Sequence, residues 1–287
     1  MIHSRERAGG QGGPTQHLPT LRAARTTDSL RREGGGVQGG ATQHPPAQED
    51  ITFFLNVYRD FALARRCLLR VRAHYPASRI VVVSDGDHDP RYLALAAELN
   101  LAYSVGERLY LLPRGGALVQ RMLDLFLAHP SACLLKLDTD TLVHRRFRWL
   151  PAGDSVFGTL EHRTNKYGEP LQPPNVQGGC LGLTLAAARR LRESEVFASS
   201  RLNEPRSTWA CCRDMAERVA AGYVSFDFLV RYGCSELAIP AVEFDEVRSL
   251  WRGRVDNPGL RYAATHPHKS ARLSLQSWLG RHAWPPR

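Results

Sequence analysis

The sequence predicts an α/β domain with a mixed, mostly parallel sheet flanked by helices, preceded by a disordered tail. Residues 1–49 are rich in Gly, Gln, Thr, Pro and Arg and hold few large apolar side chains, which is typical of disordered segments. From residue 51 onward, short apolar runs alternate with segments of helical periodicity, the pattern of βα units. Hydrophobic residues make up 43% of the 287 residues, enough for a sizeable core, so residues 50–287 are assigned to one domain.

Four strands are predicted in the first half of the domain. Each is a short apolar run that ends in polar or turn residues: ITFFLN (51–56), RIVVVSDG (79–86), LAYSV (101–105) and SACLLKLDTDT (131–141). Helical spacing of apolar residues fills the intervals, over about 61–75, 92–100 and 116–129. Parallel sheets bind ligands at the carboxyl ends of their strands. Asp85, Asp87 and Asp138 lie at predicted strand ends, which is the first indication of a site.

The second half of the domain is less regular. Strands are predicted over 155–160, 180–185 and 240–244, and helices over 186–191, 208–221 and 225–237. Residues 161–179 are predicted to form a polar loop, and the chain after Ala264 a polar, peripheral segment.

The charge and the termini restrict the partners and the compartment. The formal net charge is +10, but the basic residues are spread along the chain without the aromatic–basic motifs of RNA-binding proteins, so no nucleic acid is expected. No apolar run approaches the ~20 residues that span a bilayer, and the N-terminus lacks the apolar core of a secretory signal. The six cysteines form no C-x-x-C pair. We therefore expect a cytoplasmic protein, whose basic surface would permit peripheral contact with the inner face of the membrane.

The strongest motif is LLKLDTDTLV (134–143), an apolar strand that runs into two aspartates. In an extended chain, Asp138 and Asp140 face the same side. Two adjacent carboxylates repel each other unless a cation or proton lies between them. Oxygen ligands suit Mg²⁺ or Mn²⁺, which can bridge a diphosphate and stabilise it as a leaving group. The structural alternative is a turn with two solvated aspartates.

Over about residues 51–269, the chain resembles the GT-A glycosyltransferases, and in part their glycogenin-like group. The resemblance implies a GT-A-like (Rossmann-like) fold and a D-x-D site in which Asp138 and Asp140 hold Mn²⁺ or Mg²⁺. It also implies a nucleotide-sugar donor, by analogy a UDP-sugar. The acceptor would carry a hydroxyl group, as a glycan, a lipid-linked molecule or a small molecule does.

The same resemblance implies several substrate-binding residues. Arg121 corresponds to a donor-contacting arginine in the helix before the motif strand, and NVQGGCLGL (175–183) resembles a loop that borders the sugar and acceptor. The implied substrate-binding residues are Asn56, Tyr58, Asp85, Arg121, Gln177, Gly178, Gly179 and Lys269. The structural alternatives are core packing for Tyr58, a turn with Gly86 for Asp85, and an ordinary turn for the two glycines.

Two late segments complete the implied site. Asp227 lies in the predicted first turn of a helix, where the helix dipole alone would favour an acid. The resemblance implies that it is the general base of an inverting enzyme. In THPHKS (265–270), it implies that His266 or His268 completes the metal site and that Lys269 contacts the diphosphate, as in the retaining glycogenin-like group. His266 is preferred because it follows the short apolar run Tyr-Ala-Ala. His268 is the alternative ligand, and a solvated polar segment is the structural alternative. The Gly and Pro-Trp that follow the histidine in that group are absent.

Two other functions stay open at this point. An apolar strand followed by D-x-D also resembles haloacid dehalogenase-like phosphatases, in which Asp138 would be the nucleophile and Asp140 the acid/base, with Lys166 and the pair Asp245–Glu246 in the remaining roles. In that family the nucleophile strand usually opens the domain, whereas here complete βα units precede it. A non-catalytic module that binds nucleotide sugars is the third interpretation.

Overall fold

The structure, a computed structural model, describes residues 47, 50–109, 115–161, 164, 170–198, 226–250 and 255–268. The strands in this part of the chain are β1 (Ile51–Val57), β2 (Arg79–Asp85), β3 (Ala102–Gly106), β4 (Cys133–Leu137), β5 (Leu142–Val143), β6 (Val156–Glu161), β7 (Asn175–Thr184), β8 (Ala241–Glu243), β9 (Val247–Ser249) and β10 (Ala264–His266). The helices are α1 (Phe61–His74), α2 (Pro90–Leu99), α3 (Gly115–Leu127), α4 (Leu185–Glu193) and α5 (Phe226–Glu236), with a short 3₁₀ turn at Pro258–Leu260.

Seven strands form one sheet in the order β3-β2-β1-β4-β7-β6-β8. β1, β2, β3 and β4 run parallel, whereas β7 is antiparallel to its neighbours β4 and β6. Helices cover both faces. The predicted fold class, an α/β domain with a mixed, mostly parallel sheet flanked by helices, is therefore confirmed. β4 occupies the centre of the sheet, and its carboxyl end carries the D-x-D motif.

Side-chain alternation along the strands divides the core into two layers. In β1, Phe53 and Leu55 join the layer of α1 and α2, whereas Phe54 joins that of α3, α4 and α5. β4 alternates in the same way, with Leu135 and Leu137 towards α1 and Leu134 towards α3. Each fully buried side chain of this size contributes about 1.5–3 kcal/mol of hydrophobic stabilisation. By the same alternation along β4, residue 136 faces the layer of α3 and α5, as Leu134 does.

Local signals fix the ends of α2. Asp89 is the N-cap and accepts a hydrogen bond from the backbone N–H of Arg91, and Pro90 occupies the first helical position. At the other end, Asn100 adopts the left-handed conformation that commonly terminates helices. The loop before α2 begins at the carboxyl end of β2, on the edge of the sheet where a site is expected.

A second, three-stranded sheet has the order β5-β10-β9, with β10 antiparallel to β5 and parallel to β9. The prediction of a polar, peripheral segment after Ala264 was wrong for Ala264–His266, which are buried. These three residues are ordered because β10 has a paired strand on each side. A run of three residues is too short for periodicity to indicate a strand.

The prediction of a loop over 161–179 was wrong for its last five residues. β7 begins at Asn175, and all ten of its residues are buried. The glycines and polar side chains of 175–179 read as a loop, but part of the segment pairs with β6 (Glu161 with Asn175, Leu160 with Val176). Tertiary pairing has overridden a weak local preference.

Several predictions lie outside the described residues: most of the tail 1–49, the helix over 208–221, Lys166 and Lys269. Among the helices that the structure describes, none combines the length and the apolar character needed to cross a bilayer.

Candidate metal centre

Two carboxylates and an imidazole converge at the carboxyl end of β4. One ligand atom from each of Asp138, Asp140 and His266 lies within 4.8 Å of the others. Nε2 of His266 is 3.5 Å from Oδ2 of Asp138 and 3.3 Å from Oδ1 of Asp140. Asp140 and His266 are buried, and Asp138 is half-buried. The predicted metal residues are thus brought together, with one of the three open to solvent.

A turn, rather than the predicted extended chain, presents the two carboxylates. The backbone N–H of Thr141 donates to the carbonyl of Asp138 (3.0 Å), which closes a turn over the motif. The turn is anchored to β7, because the N–H of Asp138 (3.0 Å) and the hydroxyl of Thr141 (2.6 Å) both donate to the carbonyl of Gly179. Thr139 donates to Asp60, at the start of α1 (2.5 Å). The carboxylates are therefore fixed from two neighbouring elements.

A chain of hydrogen bonds orients the His266 ring. Oε1 of Gln177 accepts from the N–H of Gly179 (2.6 Å) and from the hydroxyl of Ser249. Because the Ser249 hydroxyl donates its proton to Gln177, its oxygen accepts from Nδ1–H of His266, 3.1 Å away. In the neutral ring, Nε2 then carries a lone pair that points at two carboxylates. Three electron-rich groups in one place require a cation or a proton between them.

This ligand set fits a divalent ion. Two carboxylate oxygens and one imidazole nitrogen suit Mn²⁺ or Mg²⁺, with the nitrogen favouring Mn²⁺. A second ring nitrogen held by a hydrogen bond is the usual arrangement around a metal-binding histidine. Ser249 and Gln177 provide that hydrogen bond here.

Replacing Ser249 with alanine is expected to weaken Mn²⁺ binding roughly 10- to 100-fold, the usual effect of removing the group that orients a metal-binding histidine. Isothermal titration calorimetry with Mn²⁺ in the presence of UDP measures this change in affinity. Ser131→Ala is the control, because Ser131 lies near the amino end of β4 and bonds Thr52 and Cys133. Unchanged Mn²⁺ affinity in Ser249→Ala would show that the ring is oriented without this serine.

The two adjacent glycines of β7 create the space for the side chains of His266 and Asp227. A Cβ on Gly179 would lie 2.1 Å from Nδ1 of His266, and one on Gly178 would lie 3.2 Å from Cβ of Asp227. An ordinary turn was the structural alternative for these glycines, but both lie in a strand. The glycines admit His266 and Asp227 to the two faces of this strand.

Asp227 lies in the first turn of α5, as predicted. Its Oδ2 accepts a hydrogen bond from Nδ2 of Asn175 (3.0 Å). Because consecutive residues of a strand face opposite sides, Gly178 and Gly179 place Asp227 and His266 on opposite faces of β7. Asp227 and His266 therefore lie against the two adjacent glycines of β7 from opposite sides.

His268 lies outside the metal cluster, so the structure favours His266 as the ligand. Nε2 of His268 is hydrogen-bonded to the hydroxyl of Thr265. Burial, and then the neighbouring His144 ring, lower the pKa of His268 to about 4. The backbone N–H of His268 donates to the carbonyl of Asp140 (2.9 Å), so this residue supports the motif turn through its main chain.

Asn56, Asp85 and Arg121 form a second group at the same edge of the sheet. Nη2 of Arg121 is 2.9 Å from Oδ1 of Asp85 and 3.4 Å from Oδ1 of Asn56. Nη1 of Arg121 donates to the carbonyl of Glu107, and the N–H of Leu109 donates to the buried Asp85 carboxylate (2.8 Å for both). The Asp85 carboxylate thus holds Arg121 and the chain after β3 in place. The alternative role considered from the sequence was to form a turn with Gly86.

This group lies next to the metal centre. Leu55 of β1 pairs with Leu137 of β4, and adjacent strands are usually about 4.8 Å apart. Asn56 directly follows Leu55 and Asp138 directly follows Leu137, so these two residues are side by side at the edge of the sheet. Tyr58, just beyond β1, carries the guanidinium of Arg108 3.6 Å from its ring centre. Tyr58 is therefore half-buried and makes a cation–π contact at the rim of the site, instead of packing in the core as the alternative had it.

Three residues of the site were missed from the sequence. Thr141 and Ser249 give no local signal, because their roles depend on β7 and on the pairing of β9 with β10. Lys136 had one: it is the only charged residue within the apolar run of β4. Its ammonium contacts Asp138 and the carbonyl of Gly178.

No protein-family model matches the sequence, and no curated protein matches it. Solved structures do resemble the fold. One is the crystal structure of the galactosyltransferase LgtC in complex with donor and acceptor sugar analogs, at 16% identity and a TM-score of 0.48, covering 83% of this chain and 98% of that chain. An active-site mutant of LgtC gives the same values. This likeness concerns the fold alone.

Proposed function

We propose that the protein is a metal-dependent glycosyltransferase of the GT-A type, which uses a nucleotide-diphosphate sugar as donor and a hydroxyl group as acceptor. The observation that carries the proposal is the convergence of Asp138, Asp140 and His266 at the carboxyl end of the central strand. That position is where open α/β sheets bind ligands. The sequence resemblance supplies the donor class, with a UDP-sugar as the first candidate.

Each group of the site has a task in such a transfer. A divalent ion held by the three ligands would supply positive charge to the diphosphate as it leaves. Arg121, held by Asp85 next to Asn56, is the donor-contacting arginine that the sequence resemblance implies. The bond between the sugar C1 and the diphosphate oxygen breaks, and a bond from C1 to the acceptor oxygen forms. The acceptor proton passes to a carboxylate, for which Asp227 is the candidate.

The phosphatase alternative is less well supported by the contacts of its additional residues. Both oxygens of the buried Glu246 are bound by arginines, 2.7 and 3.2 Å from Arg145, and Arg148 donates to the same carboxylate. Asp245 accepts from the indole N–H of Trp149 (3.2 Å). These contacts indicate that Asp245 and Glu246 hold the segment before β9 in place.

The decisive assay incubates the purified protein with Mn²⁺, a panel of nucleotide sugars and hydroxyl-bearing acceptors, and measures free nucleoside diphosphate. We expect release with at least one donor and loss of release on adding EDTA. Phosphate release from a generic phosphomonoester, without nucleoside diphosphate release, would favour the phosphatase. Donor binding without turnover by any acceptor would favour the non-catalytic module.

A further inference from the structure

Lys136 brings a positive charge to the metal centre from inside the protein. It is one of only three lysines among 38 basic residues, and its exposure is 7%. Its ammonium forms an ion pair with Oδ1 of Asp138 and donates to the carbonyl of Gly178 (2.7 Å). The ring of Phe226 lies 5.2 Å away on its apolar side. Burying an ammonium is costly unless it is paired, so this contact with Asp138 is the one that makes the position tolerable.

The two oxygens of Asp138 therefore face different groups. Oδ1 meets Lys136, whereas Oδ2 faces Nε2 of His266 at 3.5 Å. A metal ion at the Asp138, Asp140 and His266 cluster and the ammonium of Lys136 would share one carboxylate. Of the two negative charges that the aspartates provide, Lys136 offsets one before any ion arrives.

We propose that Lys136 is an internal counter-ion that lowers the affinity of this centre for a free divalent ion, so that the ion enters together with the donor diphosphate. The inference rests on the proposed metal centre. The negative charges of the diphosphate restore the attraction that Lys136 removes. Lys136 also positions Asp138, and losing that hydrogen bond would weaken metal binding. At an effective dielectric constant of about 20, however, two charges about 4 Å apart interact more strongly than one hydrogen bond to a charged group contributes. The repulsion between the two cations is therefore the larger effect.

The test is Mn²⁺ binding without nucleotide, measured from the electron paramagnetic resonance signal of free Mn²⁺ in the wild type and in Lys136→Met. The wild type is expected to bind weakly, with a dissociation constant of about a millimolar, as at sites with few net ligand charges. Lys136→Met is expected to bind at least about tenfold more tightly. A purely structural role for Lys136 would give the opposite sign, because a disturbed site binds metal less well.

Two further variants complete the experiment. Lys136→Gln removes the charge but keeps a donor for the Gly178 carbonyl, and it is expected to tighten binding too. Arg79→Met removes a cation at the amino end of β2, where Arg79 bonds the carbonyl of Leu125, and should leave Mn²⁺ affinity unchanged.

The outcomes separate this inference from the proposed function. Equal or weaker Mn²⁺ binding in the folded Lys136 variants would overturn the role of Lys136 and leave the metal centre standing. Micromolar Mn²⁺ binding by the wild type without nucleotide would overturn it as well, whether or not the variants fold. If neither protein binds Mn²⁺, even with UDP present, the metal centre itself is wrong and this inference fails with it.

Discussion

Replacing Asp140 with alanine is expected to abolish the Mn²⁺-dependent release of nucleoside diphosphate while the fold is retained. Asp140 is the buried carboxylate of the centre, with 3% of its surface exposed, and its Oδ1 is 3.3 Å from the imidazole of His266. Its loss leaves a single half-buried carboxylate, itself paired with Lys136. Altering the groups that merely orient metal ligands costs 10- to 100-fold, so removing a ligand should cost at least about 100-fold in initial rate.

The measurement compares initial rates at saturating Mn²⁺ and donor, and far-UV circular dichroism checks the fold. Asp140→Asn keeps the volume of the side chain and is expected to lose a similar factor, because the charge rather than the shape holds the ion. Asp124→Ala is the matched control: it removes an aspartate of α3 that is paired with Arg192 at the surface. Wild-type activity in Asp140→Ala would refute the proposed centre.

Gly179→Ala is expected to have the second largest effect, through sterics alone. The added methyl would lie 2.1 Å from Nδ1 and 2.3 Å from Cγ of His266, distances that real Cβ atoms do not occupy. The imidazole must therefore leave its contacts with Ser249 and the two aspartates. We expect Mn²⁺ binding and turnover to fall at least about tenfold, with a destabilisation of roughly 1–3 kcal/mol, the usual cost of overpacking a core.

Gly178→Ala provides the matched comparison, because it places the same methyl one residue earlier on the other face of β7. Its Cβ would lie 3.2 Å from Cβ of Asp227, a contact that a shift of a few tenths of an ångström relieves. This variant is expected to keep its Mn²⁺ affinity and to lose turnover through Asp227. Calorimetry with Mn²⁺ in the presence of UDP measures the affinity, and the release assay measures turnover, so the two effects are separated. Wild-type Mn²⁺ affinity in Gly179→Ala would show that His266 is not a ligand.

The fold class followed from local patterns. Alternating apolar strands and helical segments over 51–141 are long enough for periodicity to identify them, and they become β1 to β4 with α1 to α3 between them. The acidic motif at the end of a buried strand indicated the candidate site from local sequence too, because two adjacent carboxylates repel each other unless a cation or proton lies between them. The position of Asp227 in the first turn of a helix could also be predicted from the local sequence.

Tertiary structure alone decided the rest. β9 and β10 contain three residues each, so the placement of His266 beside the aspartates, and of Ser249 behind its ring, depends on strands that no local pattern indicates. Packing of segments far apart in the chain decided that His266, and not His268, lies beside the aspartates. It also decided which side chains fit against Gly178 and Gly179. The sequence by itself determined the elements and the chemical types of the ligands, because periodicity and side-chain chemistry are local. Which ligands meet was set by long-range pairing, which only the folded chain contains.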